Sequence, residues 1–142
     1  MTPAAEITRP ARPASLADLL GFLDATIAGA KLDATTAFDV RLAAEEVCTN
    51  VIAHAYPAGV PGPVTLRLER KPDVVVVTVE DAGIPFDPTT APSPALGGDW
   101  HERAIGGLGW HLVRRVVDEV HHEPIAAGGN RVTLIKRLPA GT

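Results

Sequence analysis

Cysteine is almost absent from this sequence of 142 residues, in which Cys48 stands alone. No disulfide can form within the chain, and no group of cysteines has the spacing of a zinc site. Long apolar runs are also missing, since none approaches the ~20 residues that a membrane helix needs. The first residues carry prolines and charges where a signal peptide would have an apolar core. We therefore expect a cytoplasmic protein that does not associate with a membrane.

Basic clusters and aromatic residues are equally scarce. The net charge is −4, aromatic residues make up 4 % of the chain, and lysine and arginine form no long run. A protein held mainly by nucleic-acid phosphates needs a basic cluster, so direct nucleic-acid binding is not expected. A small phosphate-bearing ligand is still allowed, because backbone N–H groups and a metal ion can hold phosphate without side-chain charge.

Hydrophobic residues make up 46 % of the chain, enough for one domain with a core of Val, Leu, Ile and Ala. Helices are expected in two proline-free stretches, residues 14–56 and 95–123. The first helix should begin at Ser15, a good N-cap with Asp18 three residues on. A second helix should span about residues 35–56, and a third should begin at about Gly107. The residues expected to face inward are Leu16, Leu19, Leu20, Leu23 and Ile27 in the first helix, Phe38, Leu42, Val47, Val51 and Ala55 in the second, and Leu108, Leu112, Val113, Val116 and Val117 in the third.

The remaining segments predict strands. Residues 64–69 alternate and residues 73–80 contain four consecutive valines, so the two form a hairpin. Residues 119–123 and 131–138 predict a second hairpin, and residues 6–8 permit a short strand. The order predicts an α+β two-layer sandwich, with three helices on one face of a mostly antiparallel sheet. Residues 1–13 are expected to be partly extended or flexible.

A polar stripe on the second helix is the first candidate site. Glu46, Asn50 and His54 recur every four residues and therefore share one helix face. An amide oxygen is a hard neutral ligand of the kind that Mg²⁺ accepts, and a carboxylate one turn away can orient or deprotonate a hydroxyl. Asparagine is a poor residue for a helix interior, so its presence needs a reason.

Two glycine-bearing segments complete the candidate site. Residues 81–88 read Asp-Ala-Gly-Ile-Pro-Phe-Asp-Pro and follow the valine strand. An aspartate at a strand end can accept a hydrogen bond from an exocyclic amine, and the glycine permits a tight turn beside a flat ring. Residues 106–109 read Gly-Gly-Leu-Gly and open the third helix, where N–H groups can approach phosphate oxygens. Neither a P-loop nor a dinucleotide fingerprint is present.

The order of these segments resembles that of the GHKL-type ATPases, which share the Bergerat fold. The sequence is most similar to the small anti-sigma-factor serine kinases of bacterial partner-switching systems. Residues 46–50 with 54–56 resemble the N-box, residues 81–88 and 106–109 resemble the two glycine boxes, and residues 128–131 resemble the turn into the last strand. The resemblance spans about residues 13–138.

The resemblance implies a role for each matching residue. Asn50 would bind the Mg²⁺ that bridges the ATP phosphates, and Glu46 would be the catalytic carboxylate. Glu45 is a rival, but its offset of five residues rotates it off the side that faces the metal. The residues implied to bind ATP are Asn50, Asp81, Gly83, Phe86, Arg103, Gly107, Leu108 and Gly109. Residues 87–105 would form the ATP lid, whose one basic residue is Arg103.

Trp110 departs from the family pattern, because an aliphatic residue usually follows the last glycine. The indole could close over the nucleotide or pack beneath the lid.

The resemblance implies an ATP-dependent serine/threonine protein kinase. Its phosphoacceptor would be a small antagonist protein, and it would also sequester a sigma factor or a similar regulator. Two alternatives stay open: an ATP-binding switch that transfers nothing, and a stand-alone catalytic domain of the histidine-kinase type. The sequence leaves open whether the protein forms a homodimer.

Overall fold

A computed structural model describes residues 4–57, 59–84 and 110–139. The strands are β1 (Ala5–Pro10), β2 (Pro63–Arg70), β3 (Val74–Asp81), β4 (Glu119–Pro124) and β5 (Asn130–Arg137). The helices are α1 (Leu16–Ala30), α2 (Ala34–His54) and α3, of which residues 110–116 are described. A 3-10 turn, Pro13–Ser15, precedes α1. None of these helices is long and apolar enough to cross a membrane.

The strands form one antiparallel sheet in the order β1-β2-β3-β5-β4. Burial alternates along β3, where Val75, Val77 and Val79 are almost fully buried. Alternation of this kind is typical of a sheet covered on one face, and here the helices supply the cover. The predicted α+β fold, with three helices on one face of an antiparallel sheet, is confirmed.

The junction of α1 and α2 is defined by local backbone chemistry. Lys31 ends α1 in the left-handed conformation, with a φ of 55°. Asp33 then caps α2, because its carboxylate accepts a hydrogen bond from the Thr36 N–H at 3.2 Å. Hydrogen bonding by Thr36, first from its side chain and then from its backbone N–H, lowers the pKa of the Asp33 carboxyl group. The cap places the start of α2 within a residue of its predicted position.

The cap expected at Ser15 is only partly present. Ser15 occupies the N-cap position of α1, but its hydroxyl makes no capping hydrogen bond. The preceding 3-10 turn already gives Ser15 a helical backbone, whereas a capping side chain needs an extended one. Asp18 lies 3.2 Å from Arg9 of β1 and forms an ion pair with it.

Two predictions of inward-facing residues were wrong. Phe38 of α2 is 66 % exposed, because the buried stripe of that helix runs through Val40, Ala43, Ala44 and Val47 instead. Those alanines carry little hydrophobic surface, and the sequence pattern therefore favoured the larger Phe38. Leu112 of α3 is 42 % exposed, since Trp110, Val113 and Val117 form the buried stripe. Leu42 is partly buried but is not among the residues packed against the core, whereas the other described members are buried in the core or packed against it.

Candidate functional site

A pocket opens where the second half of α2 meets the end of β3, the start of β5 and the start of α3. Its walls combine an apolar floor with a few polar side chains, as is usual for small-molecule sites. The polar lining residues are Asn50, His54, Asp81, His122 and Asn130, and the apolar ones are Val47, Val51, Ala55, Ile84, Trp110 and Val132. Asn50 and Asp81, predicted from separate segments, thus line one pocket.

Asp81 reaches this pocket because of its register in β3. It continues the buried series of Val75, Val77 and Val79, so its carboxylate points toward the helices and is 8 % exposed. Its Oδ1 atom accepts the Gly83 N–H at 2.8 Å and the Asn130 amide at 3.0 Å. Its Oδ2 atom accepts no hydrogen bond from the described residues, so it can accept one from a ligand.

Asn130 holds this carboxylate in place. It is 5 % exposed, and its Cα is paired with that of Asp81 across β3 and β5. Its amide nitrogen donates to Asp81 Oδ1 and to the Ile84 carbonyl at 2.9 Å. Both amide protons are therefore used, and Oδ1 faces His122 Nε2 at 3.0 Å. His122 Nε2 then donates, which extends the network from β5 to β4.

Asn130 is a site residue that the sequence analysis missed. Residues 128–131 were interpreted only as the turn into the last strand. A polar residue placed directly after two glycines at the start of a buried strand was the available signal. Its link to Asp81 depends on the pairing of β3 with β5, which joins residues 49 apart in the chain.

Two glycines allow the backbone to close around the network. A Cβ on Gly83 would lie 2.0 Å from the Ala55 carbonyl oxygen, which already accepts the Ile84 N–H at 3.0 Å. A Cβ on Gly129 would lie 2.0 Å from the Asp81 carbonyl oxygen, and its φ of 119° also favours glycine. Gly83 was predicted to admit a flat ring, and the structure adds that it lets the end of β3 contact the end of α2.

Tyr56 joins the same end of α2 to the sheet. Its hydroxyl donates to the Pro63 carbonyl at 2.5 Å and accepts the Ala82 N–H at 2.7 Å. Burial raises the pKa of Tyr56, which keeps this hydroxyl protonated and able to donate. The segment that follows Asp81 is therefore fixed by both Tyr56 and Ala55.

Glu46 lies one turn before Asn50 on α2, but it does not line the pocket. It is half-buried, and burial raises the pKa of its carboxyl group; the neighbouring Glu45 carboxylate raises it further. Glu45 itself accepts a hydrogen bond from Arg41, which also bonds Asp24 of α1 at 3.0 Å. Among the described residues Glu46 has no such cationic partner.

A nucleotide with a magnesium ion fits the donors and acceptors of the pocket. Asn50 offers an amide oxygen that the described residues do not occupy, and Asp81 offers Oδ2. The described part of the chain contains no group of three acidic, His or Cys side chains able to hold a metal alone. Magnesium suits such a site, because it keeps waters and takes further oxygens from phosphates. The indole Nε1 of Trp110 is buried and has no acceptor in the described part of the chain, so a ligand oxygen could satisfy it.

Five of the residues implied to bind ATP lie outside the described ranges, as does the expected lid at residues 87–105. They are Phe86, Arg103, Gly107, Leu108 and Gly109. The described part of the site is therefore formed by residues of α2, β3 and β5 and by Trp110, the first described residue of α3.

Comparison with known proteins gives concordant results. The family model described as a histidine kinase-like ATPase domain matches residues 9–136. The serine/threonine-protein kinase BtrW of Bordetella bronchiseptica is 31 % identical over 97 residues, which cover 68 % of each chain. The serine-protein kinase RsbW of Bacillus licheniformis is 30 % identical over 124 residues, covering 81 % of this chain and 74 % of that protein.

Solved structures agree on the fold. A Mycobacterium tuberculosis protein with RsbU and RsbW domains superposes with a TM-score of 0.69 at 22 % identity, over 96 % of this chain and 33 % of that one. A blue-light activated histidine kinase domain from Erythrobacter litoralis gives a TM-score of 0.56 at 23 % identity, over 84 % of this chain and 61 % of that one. Together with the family match, these relatives confirm the resemblance found in the sequence: the chain belongs to the family of histidine kinase-like ATPase domains and is similar to its serine-protein kinases.

Proposed function

We propose that this chain is one kinase domain over residues 1–142, which transfers the γ-phosphoryl group of ATP to a serine or threonine of a small antagonist protein. We further propose that it sequesters a sigma factor or similar regulator and acts in the cytoplasm. The observation that carries the proposal is the meeting of Asn50 and Asp81 at one pocket from α2 and β3. The similarity to kinases named BtrW and RsbW supports the type of acceptor.

Adenine recognition is assigned to Asp81. Because its Oδ1 accepts from Gly83 and Asn130, its Oδ2 is left to accept the exocyclic amine of adenine. A network that fixes one carboxylate oxygen orients the other, so the site is preorganised for a donor at this position. Guanine carries a carbonyl where adenine carries that amine and would leave Asp81 unsatisfied, which disfavours GTP.

Phosphate binding is assigned to Asn50, with Gly107, Leu108 and Gly109 as further proposed contacts and Arg103 as the lid cation. Asn50 would hold Mg²⁺ through its amide oxygen, and the metal would supply neutralisation of phosphate charge. Phe86 is proposed to contact the nucleotide beside Gly83. These assignments follow from the family resemblance, supported for Asn50 by its place in the pocket.

Glu46 is assigned as the general base of the transfer. The acceptor hydroxyl oxygen forms a bond to the γ-phosphorus, the bond from that phosphorus to the bridging oxygen breaks, and ADP leaves. The hydroxyl proton passes to the Glu46 carboxylate. A carboxyl group whose pKa is raised by burial is a better proton acceptor than an ordinary one, provided it is ionised at the working pH.

The test uses the purified chain, Mg-ATP and candidate antagonist proteins encoded beside its gene. We expect phosphoserine or phosphothreonine on one partner and a rise of the melting temperature with Mg-ATP. Asn50→Ala should abolish the Mg-dependent part of that rise. Glu46→Gln should keep nucleotide binding and reduce transfer by about 10²- to 10⁴-fold.

Three outcomes would contradict the proposal. The absence of any thermal shift with Mg-ATP would contradict the proposal that the chain binds nucleotide. Binding without transfer to any partner would favour an ATP-binding switch. Acid-labile phosphate on a histidine of a partner would favour a catalytic domain of the histidine-kinase type.

A further inference from the structure

Trp110 contains a polar group that the fold leaves unsatisfied. The residue is 4 % exposed, begins the described part of α3 and lines the same pocket as Asn50 and Asp81. Its indole nitrogen Nε1 is buried and has no hydrogen-bond acceptor within residues 4–57, 59–84 and 110–139. An indole N–H can only donate, so the group needs an acceptor to compensate for its loss of water.

The acceptors of the pocket are already occupied or out of reach. Asp81 Oδ1 accepts two hydrogen bonds, and the Ile84 carbonyl accepts one from Asn130. Asn130 Oδ1 faces His122. The Asp81 and Asn50 oxygens that stay free form no hydrogen bond with the indole nitrogen. No residue of the described ranges supplies the missing acceptor, whereas a molecule that enters the pocket can supply it.

We infer that Trp110 Nε1 donates a hydrogen bond to an oxygen of the bound nucleotide, from its ribose or its phosphates, and that Trp110 is a positioning residue of the site. This inference rests on the proposed binding of ATP. A nucleotide is rich in oxygen acceptors, and Trp110 directly follows the glycines proposed to contact its phosphates. Nucleotide binding would thus compensate for the free-energy cost of burying the indole N–H without an acceptor.

Removal of the indole donor should weaken nucleotide binding. Trp110→Phe keeps an apolar ring in the buried position and removes the donor. Phenylalanine is smaller than tryptophan, so the variant should have a lower melting temperature whether or not the hydrogen bond forms. With nucleotide the variant also lacks one hydrogen bond, so the Kd should increase about tenfold. A residue that only packs in the core would lower the melting temperature and leave the Kd unchanged.

The experiment measures Kd by calorimetry for ATP, ADP, AMP and adenosine, with Mg²⁺, in the parent and in Trp110→Phe. A loss seen with all four ligands assigns the acceptor to the ribose, and a loss confined to the phosphorylated ones assigns it to a phosphate. Leu112→Ala is the matched control, because Leu112 lies on the exposed face of α3 and does not line the pocket. The control should bind all four ligands as the parent does.

A spectroscopic readout observes the proton directly. With ¹⁵N-labelled tryptophan the chain gives two indole signals, from Trp100 and Trp110. The signal that disappears in Trp110→Phe should move downfield in the parent on saturation with nucleotide. If the parent binds nucleotide but this signal does not move, or Trp110→Phe binds as tightly as the parent, the inference is overturned. If the parent binds no nucleotide, the proposed function fails together with it.

Discussion

At the scale of single residues, the two adjacent glutamates of α2 have different electrostatic surroundings. Glu45 is paired with Arg41, whereas Glu46 has its pKa raised by burial and then by the Glu45 carboxylate. The Glu45 contribution to the pKa of Glu46 can be tested by itself, since Glu45 can be neutralised without altering the Glu46 side chain.

We predict that Glu45→Gln shifts the acidic limb of the pH–rate profile to lower pH. Glu46 must be ionised to accept a proton, so phosphoryl transfer rises as the pH rises through its pKa. Removal of the Glu45 charge lowers that pKa, because Glu45 is the neighbouring carboxylate that raises it. The measurement is the rate of transfer against pH at saturating ATP.

Glu6→Gln, a change of equal charge on the exposed edge of the sheet, should leave the profile in place. A profile that is the same in Glu45→Gln and the parent would show that the limb reports a group other than Glu46.

At the scale of elements, the end of α2 and the end of β3 are in direct backbone contact at Gly83. We predict that Gly83→Ala lowers the melting temperature and weakens nucleotide binding more than tenfold. The added Cβ would lie 2.0 Å from the Ala55 carbonyl oxygen, so the two backbones must separate. That separation moves the Gly83 N–H which fixes the Asp81 carboxylate. Thermal unfolding and nucleotide titration measure the two effects.

Gly21→Ala is the matched control for this change. Gly21 is exposed in α1, and a Cβ there meets nothing within 4 Å. Alanine in a helix interior is favoured over glycine by about 0.5–1 kcal/mol, so this variant should be more stable than the parent and bind nucleotide equally. Equal behaviour of the two variants would contradict the assigned role of the contact at Gly83.

The order of elements could be predicted because each one has its own local pattern. The valines of β3, the prolines that bound the helices and the glycines near β5 are readable without tertiary information. Phe38 and Leu112 were wrongly predicted to face inward. Periodicity locates the hydrophobic stripe of a helix, but it does not show which edge of that stripe the sheet and the other helices cover. Small buried residues such as Ala43 and Ala44 carry little signal of this kind.

The candidate site could likewise be predicted only in part. Asn50 and Asp81 stand out because each is unusual for its local position. The part played by Asn130 depends on the register of β3 with β5, and the unsatisfied nitrogen of Trp110 depends on packing around it. Both are properties of residues distant in the chain, so no local pattern contains them.

At the scale of the whole molecule, Lys136 connects three elements. Its ammonium group donates to Asp39 of α2 at 3.0 Å and to the Val116 carbonyl, at the end of α3, at 2.6 Å. Both charged side chains are mostly buried, with 20 % and 17 % exposure. A cation at a helix C-terminus is also favoured by the helix dipole. β5 is thereby tied to the two helices that line the pocket.

We predict that Lys136→Met lowers the free energy of unfolding by about 2 kcal/mol, the usual loss when a hydrogen bond to a charged group is removed and its partner stays buried. Urea denaturation measures the change. Arg137→Met is the control, since that side chain is 65 % exposed and its ion pairs should contribute little. Equal losses in both variants would show that Lys136 acts only as a surface charge.

The two outer strands of the described sheet have a consequence for self-association. β1 ends at Pro10 and carries exposed Glu6 and Arg9, while β4 ends at Pro124 and carries Glu119. A strand edge normally offers unpaired backbone groups to which another chain can add, and proline and charge are the features that oppose such addition. Neither outer strand is therefore a good template for edge-to-edge aggregation. Copies of the chain that do associate should meet through other surfaces, so concentrated preparations should not build extended intermolecular sheets.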